Sequence, residues 1–230
     1  MKYAVSPRKI IAAAVAGSDL LFPINRIFCV ARNYAAHARE MGMDEREPPF
    51  FFCKDADAYA PAGSIIPYPS QTSDYQHEVE LVVAIGKAGF EISPESAVQH
   101  IFGYAVGLDM TRRDLQAAAR QKGRPWCEAK NFPSSAPMGP ITPIAQCGEI
   151  NNGAIALSVN GAVRQSSDSA LMIWSVSETI SHLSKTYTLA PGDLIFTGTP
   201  ERVGPVIPGD TLTASFESLG EIQFTVGPRA

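Results

Sequence analysis

The chain has 230 residues, 45% of them hydrophobic, and a formal net charge of −4. This length allows one substantial core. The acidic balance argues against nucleic acid as a partner, because nucleic-acid-binding proteins usually carry a basic face. A small molecule is the expected ligand, and no stretch is long and apolar enough to predict a membrane-spanning helix.

The N-terminus and the cysteines bear on where the protein resides. Lys2, Arg8 and Lys9 precede an apolar run over residues 10–17, an arrangement that resembles a signal peptide. The run is short and rich in alanine, so we expect a cytoplasmic protein, with export as the alternative. The four cysteines form no C-x-x-C pair, which predicts buried, reduced thiols rather than a zinc site.

The first half of the chain alternates short apolar runs with turns. Asn33 is placed to cap a helix over residues 34–41, and further helices are expected over residues 94–100 and 111–120. Residues 61–75 are rich in Pro and Gly, which predicts turns. Strands are expected at residues 26–31, 50–53, 78–86 and 101–109.

Asn160-Gly161 is a strong turn signal in the second half. The pair separates two β-prone segments, residues 154–159 and 162–165, and predicts a hairpin. Residues 172–184 carry an apolar stripe with helical spacing. Further strands are expected at residues 193–197, 211–216 and 221–226. Strands outnumber helices, so we predict an α+β fold of β-sheets packed on one another, with a few short helices.

Two glutamates at the start of the strand over residues 78–86 suggest a metal site. Side chains alternate along a strand, so Glu78 and Glu80 share one face, about 6–7 Å apart. A divalent cation would relieve the repulsion between their charges. Asp109 ends the next apolar strand and is the predicted third ligand, and three carboxylates suit Mg²⁺ or Mn²⁺. The same spacing also fits a solvent-facing strand edge, with a turn or capping role for Asp109.

Three other residues have the chemistry of an active site. If residues 34–41 are helical, His37 and Glu40 are neighbours on one face, and a glutamate that orients an imidazole makes a general base. An ordinary pair on the helix surface is the alternative. Lys130 could stabilise an oxyanion beside the metal, although the same residue could simply be exposed. The TGTP sequence at residues 197–200 predicts a tight turn that could also bind a carboxylate.

Five segments together resemble the fumarylacetoacetate hydrolase family, and within it the short acylpyruvate and fumarylpyruvate hydrolases. They occur in the family's order and extend from about Arg26 to the C-terminus. The segments are residues 31–41 (ARNYAAHAREM), 77–86 (HEVELVVAIG), 107–116 (GLDMTRRDLQ), 128–132 (EAKNF) and 190–204 (APGDLIFTGTPERVG).

The resemblance implies a mixed β-sandwich roll that binds Mg²⁺ or Mn²⁺ and forms a homodimer. Residues 1–25 are then an N-terminal extension, and residues 26–230 the metal-dependent catalytic domain. The resemblance also assigns roles: Glu78, Glu80 and Asp109 bind the metal, His37 and Glu40 activate water, Lys130 lies near the developing charge, and Arg32, Arg113, Gln116 and Thr199 contact substrate oxygens.

The implied reaction is hydrolysis of a carbon–carbon bond in an acylpyruvate. The expected substrate is fumarylpyruvate, which gives fumarate and pyruvate in aromatic degradation by the gentisate pathway. Decarboxylation of oxaloacetate is an alternative, because it also produces a metal-held pyruvate enolate. An isomerase or a hydratase on the same scaffold stays open, since fold does not fix function. The alternative outside the enzymes is a metal-binding protein without catalytic activity.

Overall fold

The computed structural model describes residues 2–35 and 47–230. Eighteen strands, four α-helices and three 3-10 helices lie entirely within these residues. The strands are β1 (Ala12–Ala14), β2 (Leu21–Pro23), β3 (Ile27–Ala31), β4 (Phe50–Lys54), β5 (Tyr59–Pro61), β6 (Ile65–Tyr68), β7 (Tyr75–His77), β8 (Val79–Ile85), β9 (Ile101–Leu108), β10 (Thr111–Arg112), β11 (Ala136–Met138), β12 (Thr142–Pro143), β13 (Ala154–Val159), β14 (Ala162–Asp168), β15 (Leu194–Phe196), β16 (Gly204–Pro205), β17 (Thr211–Phe216) and β18 (Gly220–Arg229). The α-helices are α1 (Arg113–Gln121), α2 (Cys127–Lys130), α3 (Ile144–Cys147) and α4 (Val176–Ser184), and the 3-10 helices are Ala56–Ala58, Pro94–His100 and Ser169–Leu171.

Two mixed sheets form the body of the structure. The larger has the order β4-β3-β15-β8-β9-β11-β5, with β12 also paired to β9, and the smaller has the order β14-β13-β17-β18-β6. Apolar side chains from both sheets make one core cluster together with α4. A second cluster lies on the other face of the larger sheet and includes residues from β1 and β2. The predicted α+β fold of packed sheets with short helices is confirmed.

Alternation along β8 sets the position of the candidate site. Leu81 and Val83 pack into the first core cluster, while Val82 and Ala84 pack into the second. Because side chains alternate between faces, Glu80 belongs to the face of Val82. Antiparallel pairing of β8 with β9, with Val79 opposite Leu108, brings the beginning of β8 next to the end of β9.

Several predicted elements are confirmed with changed bounds. The hairpin of β13 and β14 turns at Asn160 (φ 51°) and Gly161 (φ 79°), two left-handed residues, as a type I′ turn requires. The helix expected over residues 172–184 begins only at Val176, after a capping box formed by Ser175 and Glu178. The helix expected from Thr111 begins at Arg113, because Thr111 and Arg112 pair with β7. Residues 94–100 form a 3-10 helix.

Two predictions were wrong. Residues 61–75 are not all turns, because β6 lies within them and pairs in parallel with β18; this pairing partner is distant in sequence and outweighs the local Pro and Gly signal. The cysteines are not all buried: Cys29 is, whereas Cys53 and Cys127 are exposed, and all four are free thiols. No helix in the described part of the chain is long and apolar enough to cross a membrane.

Candidate metal centre

Three carboxylates meet where β8 begins and β9 ends. Glu78 lies between β7 and β8, Glu80 is the second residue of β8, and Asp109 follows β9. The Asp109 backbone N–H donates to the Glu78 carbonyl oxygen at 2.8 Å, which fixes the two chain segments against each other. One ligand oxygen from each residue lies within 4.8 Å of the other two. The side chains predicted as ligands are therefore brought together, and the residues are only 5%, 1% and 1% exposed.

The electrostatics of this cluster fit a divalent cation. Burial, followed by the charges of Asp109 and Glu78, raises the pKa of Glu80 well above its ordinary value. Asp109 Oδ1 is buried and accepts no hydrogen bond from the described residues, although a lysine ammonium lies beside it. An all-carboxylate ligand set suits Mg²⁺ or Mn²⁺, and Asp109 Oδ1, which is ion-paired but accepts no hydrogen bond from the described residues, keeps its lone pairs for such an ion.

Lys130 neutralises the cluster directly. Its Nζ donates to Glu78 Oε2 at 2.9 Å, to Asp109 Oδ2 at 2.6 Å and to Thr111 Oγ1 at 2.7 Å. Burial disfavours the charged form, but the carboxylates of Asp109 and Glu78 outweigh it and raise the pKa of Lys130. All three ammonium protons are thus engaged, and Lys130 is a buried counter-charge rather than an exposed lysine.

Lys54 is a second buried counter-charge, and it was not predicted from the sequence. Its Nζ lies 2.8 Å from Asp109 Oδ1 and donates to the carbonyl oxygens of Met110, Lys130 and Ser135. Phe52, two residues earlier on the same face of β4, lies against Lys130 Nζ, 5.2 Å from its ring centroid. Extension of the predicted strand over residues 50–53 by one residue would have placed Lys54 on this face.

Helix α1 carries a polar face beside Glu78. Arg113 Nη2 donates to Glu78 Oε1, and its Nη1 donates to Gln116 Oε1. A cavity of about 370 Å³ is lined by Arg113, Gln116, Ala117, Arg120 and Gln121. Residues separated by three and seven positions lie on one side of a helix, so Arg113, Gln116 and Arg120 form a row that leads away from the carboxylates. Arg120 was not among the residues predicted for the site, although this spacing could have indicated it.

Arg32 approaches the same region from the end of β3. It is a non-glycine residue with φ 62°, and its guanidinium lies over the Phe50 ring, 4.6 Å from the centroid. Burial lowers the pKa of Arg32; the charge of Glu47 opposes this effect, and the positive charge of Arg120 adds to it. A second cavity, of about 520 Å³, extends from Phe50 to Trp126 and Lys130.

The loop after β15 lies on the remaining side of the carboxylate cluster. The Gly198 N–H donates to Glu80 Oε2 at 2.8 Å. Thr199 Oγ1 donates to the Val79 carbonyl oxygen at 2.8 Å and accepts from Gln165 Nε2 at 3.0 Å. The single hydroxyl proton of Thr199 is therefore engaged, and only a lone pair is left for a ligand. A contact between Thr199 and substrate stays a prediction. His37 and Glu40 lie outside the described residues.

Comparison with known proteins identifies the family. The model of the family described as "Fumarylacetoacetate (FAA) hydrolase C-terminal" matches residues 26–227. The chain belongs to this family. The resemblance read from the five sequence segments is confirmed, and so is the fold expected of a fumarylacetoacetate hydrolase relative.

Individual relatives of the family cover most of the chain. Fumarylpyruvate hydrolase of Ralstonia sp. is 49% identical over 182 residues, which cover 79% of this chain and 94% of the relative. The crystal structure of fumarylpyruvate hydrolase from Pseudomonas aeruginosa in complex with Mn²⁺ and pyruvate is 52% identical, with a TM-score of 0.97, and the match covers 99% of this chain and 100% of that one. Mitochondrial oxaloacetate tautomerase of Homo sapiens is 41% identical over 200 residues, which cover 87% and 90%.

Proposed function

We propose that this protein is a metal-dependent hydrolase that cleaves the carbon–carbon bond of an acylpyruvate, with fumarylpyruvate as the substrate and fumarate and pyruvate as the products. The observation that carries the proposal is the buried cluster of Glu78, Glu80 and Asp109 with its neighbouring cations. Relatives that are 49% and 52% identical are fumarylpyruvate hydrolases, and one of them was crystallised with Mn²⁺ and pyruvate.

The charges of the centre favour a substrate with two carboxylates. When all three acids are ionised, they face three positive groups, on Lys54, Lys130 and Arg113. A divalent cation then makes the centre net positive, Arg32 and Arg120 beside it add further positive charge, and charge in a poorly hydrated site needs a partner. Fumarylpyruvate is a dianion and supplies two negative charges, whereas acetylpyruvate supplies only one.

Mg²⁺ or Mn²⁺ is the proposed cofactor, held by Glu78, Glu80 and Asp109. When bound, the ion would act as a Lewis acid that polarises substrate oxygens and stabilises the negative charge left on the pyruvate part. Arg113 and Gln116 orient the substrate oxygens from helix α1, and Arg32 does so from the end of β3. Arg120 lies about 10 Å along the helix axis from Arg113, a span comparable with an extended diketo dicarboxylate, so we assign it to the distal carboxylate.

Water activation is assigned to the His37–Glu40 pair. His37 takes a proton from water, and Glu40 orients its imidazole and stabilises the imidazolium. The oxygen of that water bonds to the distal carbonyl carbon. The Lys130 ammonium, whose three protons are shared among Glu78, Asp109 and Thr111 in the metal-free protein, turns one of them to the oxyanion that develops and stabilises it. When the carbon–carbon bond breaks, its electron pair stays with the pyruvate fragment, which takes up a proton. Thr199 borders the bound substrate.

A substrate panel tests the proposal. Fumarylpyruvate, acetylpyruvate and oxaloacetate are each incubated with purified protein, with Mn²⁺ or with EDTA, and loss of diketo-acid absorbance is followed. We expect metal-dependent consumption of fumarylpyruvate that exceeds consumption of acetylpyruvate. Replacement of His37 by Ala should abolish turnover and leave Mn²⁺ binding nearly unchanged; unchanged turnover would refute the role of His37.

Enolate chemistry on oxaloacetate is the second candidate, because a 41% identical human relative is an oxaloacetate tautomerase. Tautomerisation and decarboxylation need no activated water. If oxaloacetate is the substrate, the His37→Ala variant should retain much of the activity on oxaloacetate. If fumarylpyruvate is the substrate, the same variant should no longer hydrolyse it. A non-catalytic metal-binding protein would instead gain thermal stability with Mn²⁺ and consume none of the three acids.

The biological setting is part of the proposal. We place the protein in the cytoplasm, in the gentisate branch of aromatic degradation, as a homodimer. Sedimentation equilibrium of the purified chain at several concentrations tests the dimer, and a mass near that of one chain at all of them would contradict it.

A further inference from the structure

Gln165 is a fully buried polar residue that belongs to the smaller sheet rather than to the carboxylate cluster. It lies in β14, and its exposed fraction is 0%. The sequence placed it at the end of a predicted strand and gave it no role. Buried side-chain amides need partners for all their polar atoms, so its hydrogen bonds show what the residue does.

Both the oxygen and the nitrogen of the Gln165 side-chain amide form hydrogen bonds to backbone groups. Oε1 accepts from the Val79 N–H at 3.1 Å. Nε2 donates to the carbonyl oxygens of Pro200 and Glu201, at 2.9 Å and 3.3 Å, and to Thr199 Oγ1 at 3.0 Å. A backbone N–H can only donate and a carbonyl can only accept, so these partners fix the orientation of the amide.

His77 completes the acceptor end of the network. Its Nδ1 lies 3.0 Å from Gln165 Oε1. Because Oε1 has no proton to give, Nδ1 must be the donor, which fixes the protonated nitrogen of the ring. The residue before Glu78 and the residue after it are therefore both anchored to the same oxygen of Gln165.

The backbone groups of Val79 need hydrogen-bond partners from side chains. Val79 lies between two of the proposed ligands, its N–H donates to Gln165, and its carbonyl oxygen accepts from Thr199 Oγ1 at 2.8 Å. The neighbouring strand β15 ends at Phe196, opposite Val82, so β15 offers Val79 no backbone partner. The side chains of Gln165 and Thr199 take the place of a strand partner and satisfy the N–H and the carbonyl oxygen of Val79.

We infer that Gln165 is a positioning residue for the metal centre, which acts through Val79 and Thr199. One amide holds the segment that carries Glu78 and Glu80 against the loop over residues 198–201, and Gly198 of that loop donates to Glu80 Oε2. Without the amide, both the segment and the loop are released, and ligand oxygens that must agree within a few tenths of an ångström drift apart. The inference rests on the proposed metal site and not on the proposed reaction.

Mn²⁺ binding without substrate tests the inference. The metal-free Gln165→Leu variant is titrated with Mn²⁺ and free ion is measured by electron paramagnetic resonance. We expect binding about ten- to a hundredfold weaker than that of the unmodified chain, as for other residues that support metal ligands. Gln223→Leu is the matched control, because Gln223 is an exposed glutamine on β18 of the same sheet; it should bind Mn²⁺ normally.

A double-mutant cycle with Thr199→Val tests the route. If Gln165 acts through Thr199, the loss of affinity in the double variant should be smaller than the product of the two single losses. If Gln165→Leu lowers the melting temperature while Mn²⁺ affinity stays within twofold, the residue is merely structural and the inference is wrong.

Two further results keep the test decisive. If Gln165→Leu does not fold, Gln165→Asn carries the same expectation, because its amide is one methylene too short to reach both Val79 and Pro200. An unmodified chain that binds no Mn²⁺ would overturn the metal site and the proposed function together, whereas normal binding by the Gln165 variants overturns only the inference.

Discussion

Lys54 Nζ lies 2.8 Å from Asp109 Oδ1, and both side chains are closed to solvent. Asp109 Oδ2 meets Lys130 in the same way, at 2.6 Å. One carboxylate therefore has an ammonium group on each of its oxygens. A buried charge without its partner is strongly destabilising, so loss of either ammonium group should be costly.

Replacement of Lys54 by Met should lower the free energy of unfolding of the metal-free protein by about 3–5 kcal/mol, the usual cost of removing one partner of a buried ion pair. Three carbonyl oxygens also lose their donor. Urea unfolding with and without Mn²⁺ measures the effect, and Mn²⁺ should restore part of the loss because it supplies positive charge beside Asp109. Lys87→Met, at an exposed lysine, is the control; equal losses in the two variants would contradict the role of Lys54.

Removal of the metal should lower stability and leave the chain folded. A ligand that binds only the folded state at about 100 times its Kd adds about 2.7 kcal/mol, so excess Mn²⁺ should raise the melting temperature of the EDTA-treated protein. The Glu80→Gln variant should lose this shift, since an amide is a poor substitute for a carboxylate ligand. Glu221→Gln, at an exposed strand position, should keep the full shift, and a full shift in Glu80→Gln would exclude Glu80 as a ligand.

Replacement of Gly198 by Ala should weaken Mn²⁺ binding. Gly198 has φ 98°, and a Cβ there would lie 2.6 Å from Asn33 Cβ, so either the loop or Asn33 must move. That movement displaces the N–H that donates to Glu80 Oε2. Gly209 has φ 96° with nothing within 4 Å of its added Cβ, so Gly209→Ala reproduces the backbone strain, about 1–2 kcal/mol, without the clash. Calorimetric titration should show weaker binding in Gly198→Ala only.

Replacement of Arg120 by Met should change substrate preference. If Arg120 binds the distal carboxylate, kcat/KM for fumarylpyruvate should fall about tenfold or more, the value of a hydrogen bond to a charged group. The value for acetylpyruvate, which has no distal carboxylate, should hardly change. Arg120→Lys should restore part of the preference, and Lys122→Met, just beyond the end of α1, controls for lost surface charge. An equal fall in kcat/KM for both substrates would show that Arg120 does not bind the distal carboxylate.

The sequence was sufficient for the residues that local pattern determines. Alternation along one strand put Glu78 and Glu80 on a single face, and the end of the next strand supplied Asp109. The same pattern also fitted a solvent-facing strand edge, and the family resemblance was needed to assign the three residues to a metal. Lys54 was missed because the predicted strand over residues 50–53 ended one residue too early, and its meeting with Asp109 depends on the position of β4 beside β3 in the larger sheet. Gln165 was missed because its position depends on pairing that no local pattern reveals, since β14 belongs to the smaller sheet. For the same reason the limited role left to the Thr199 hydroxyl emerged only once its partners were known.

The three cations around the carboxylates have a consequence for how the protein is made. Because Lys54, Lys130 and Arg113 act as internal counterions, the chain can complete its fold before any ion arrives, unlike small domains that remain unfolded without zinc. We therefore expect the metal to bind after folding, at a site that the protein has already formed.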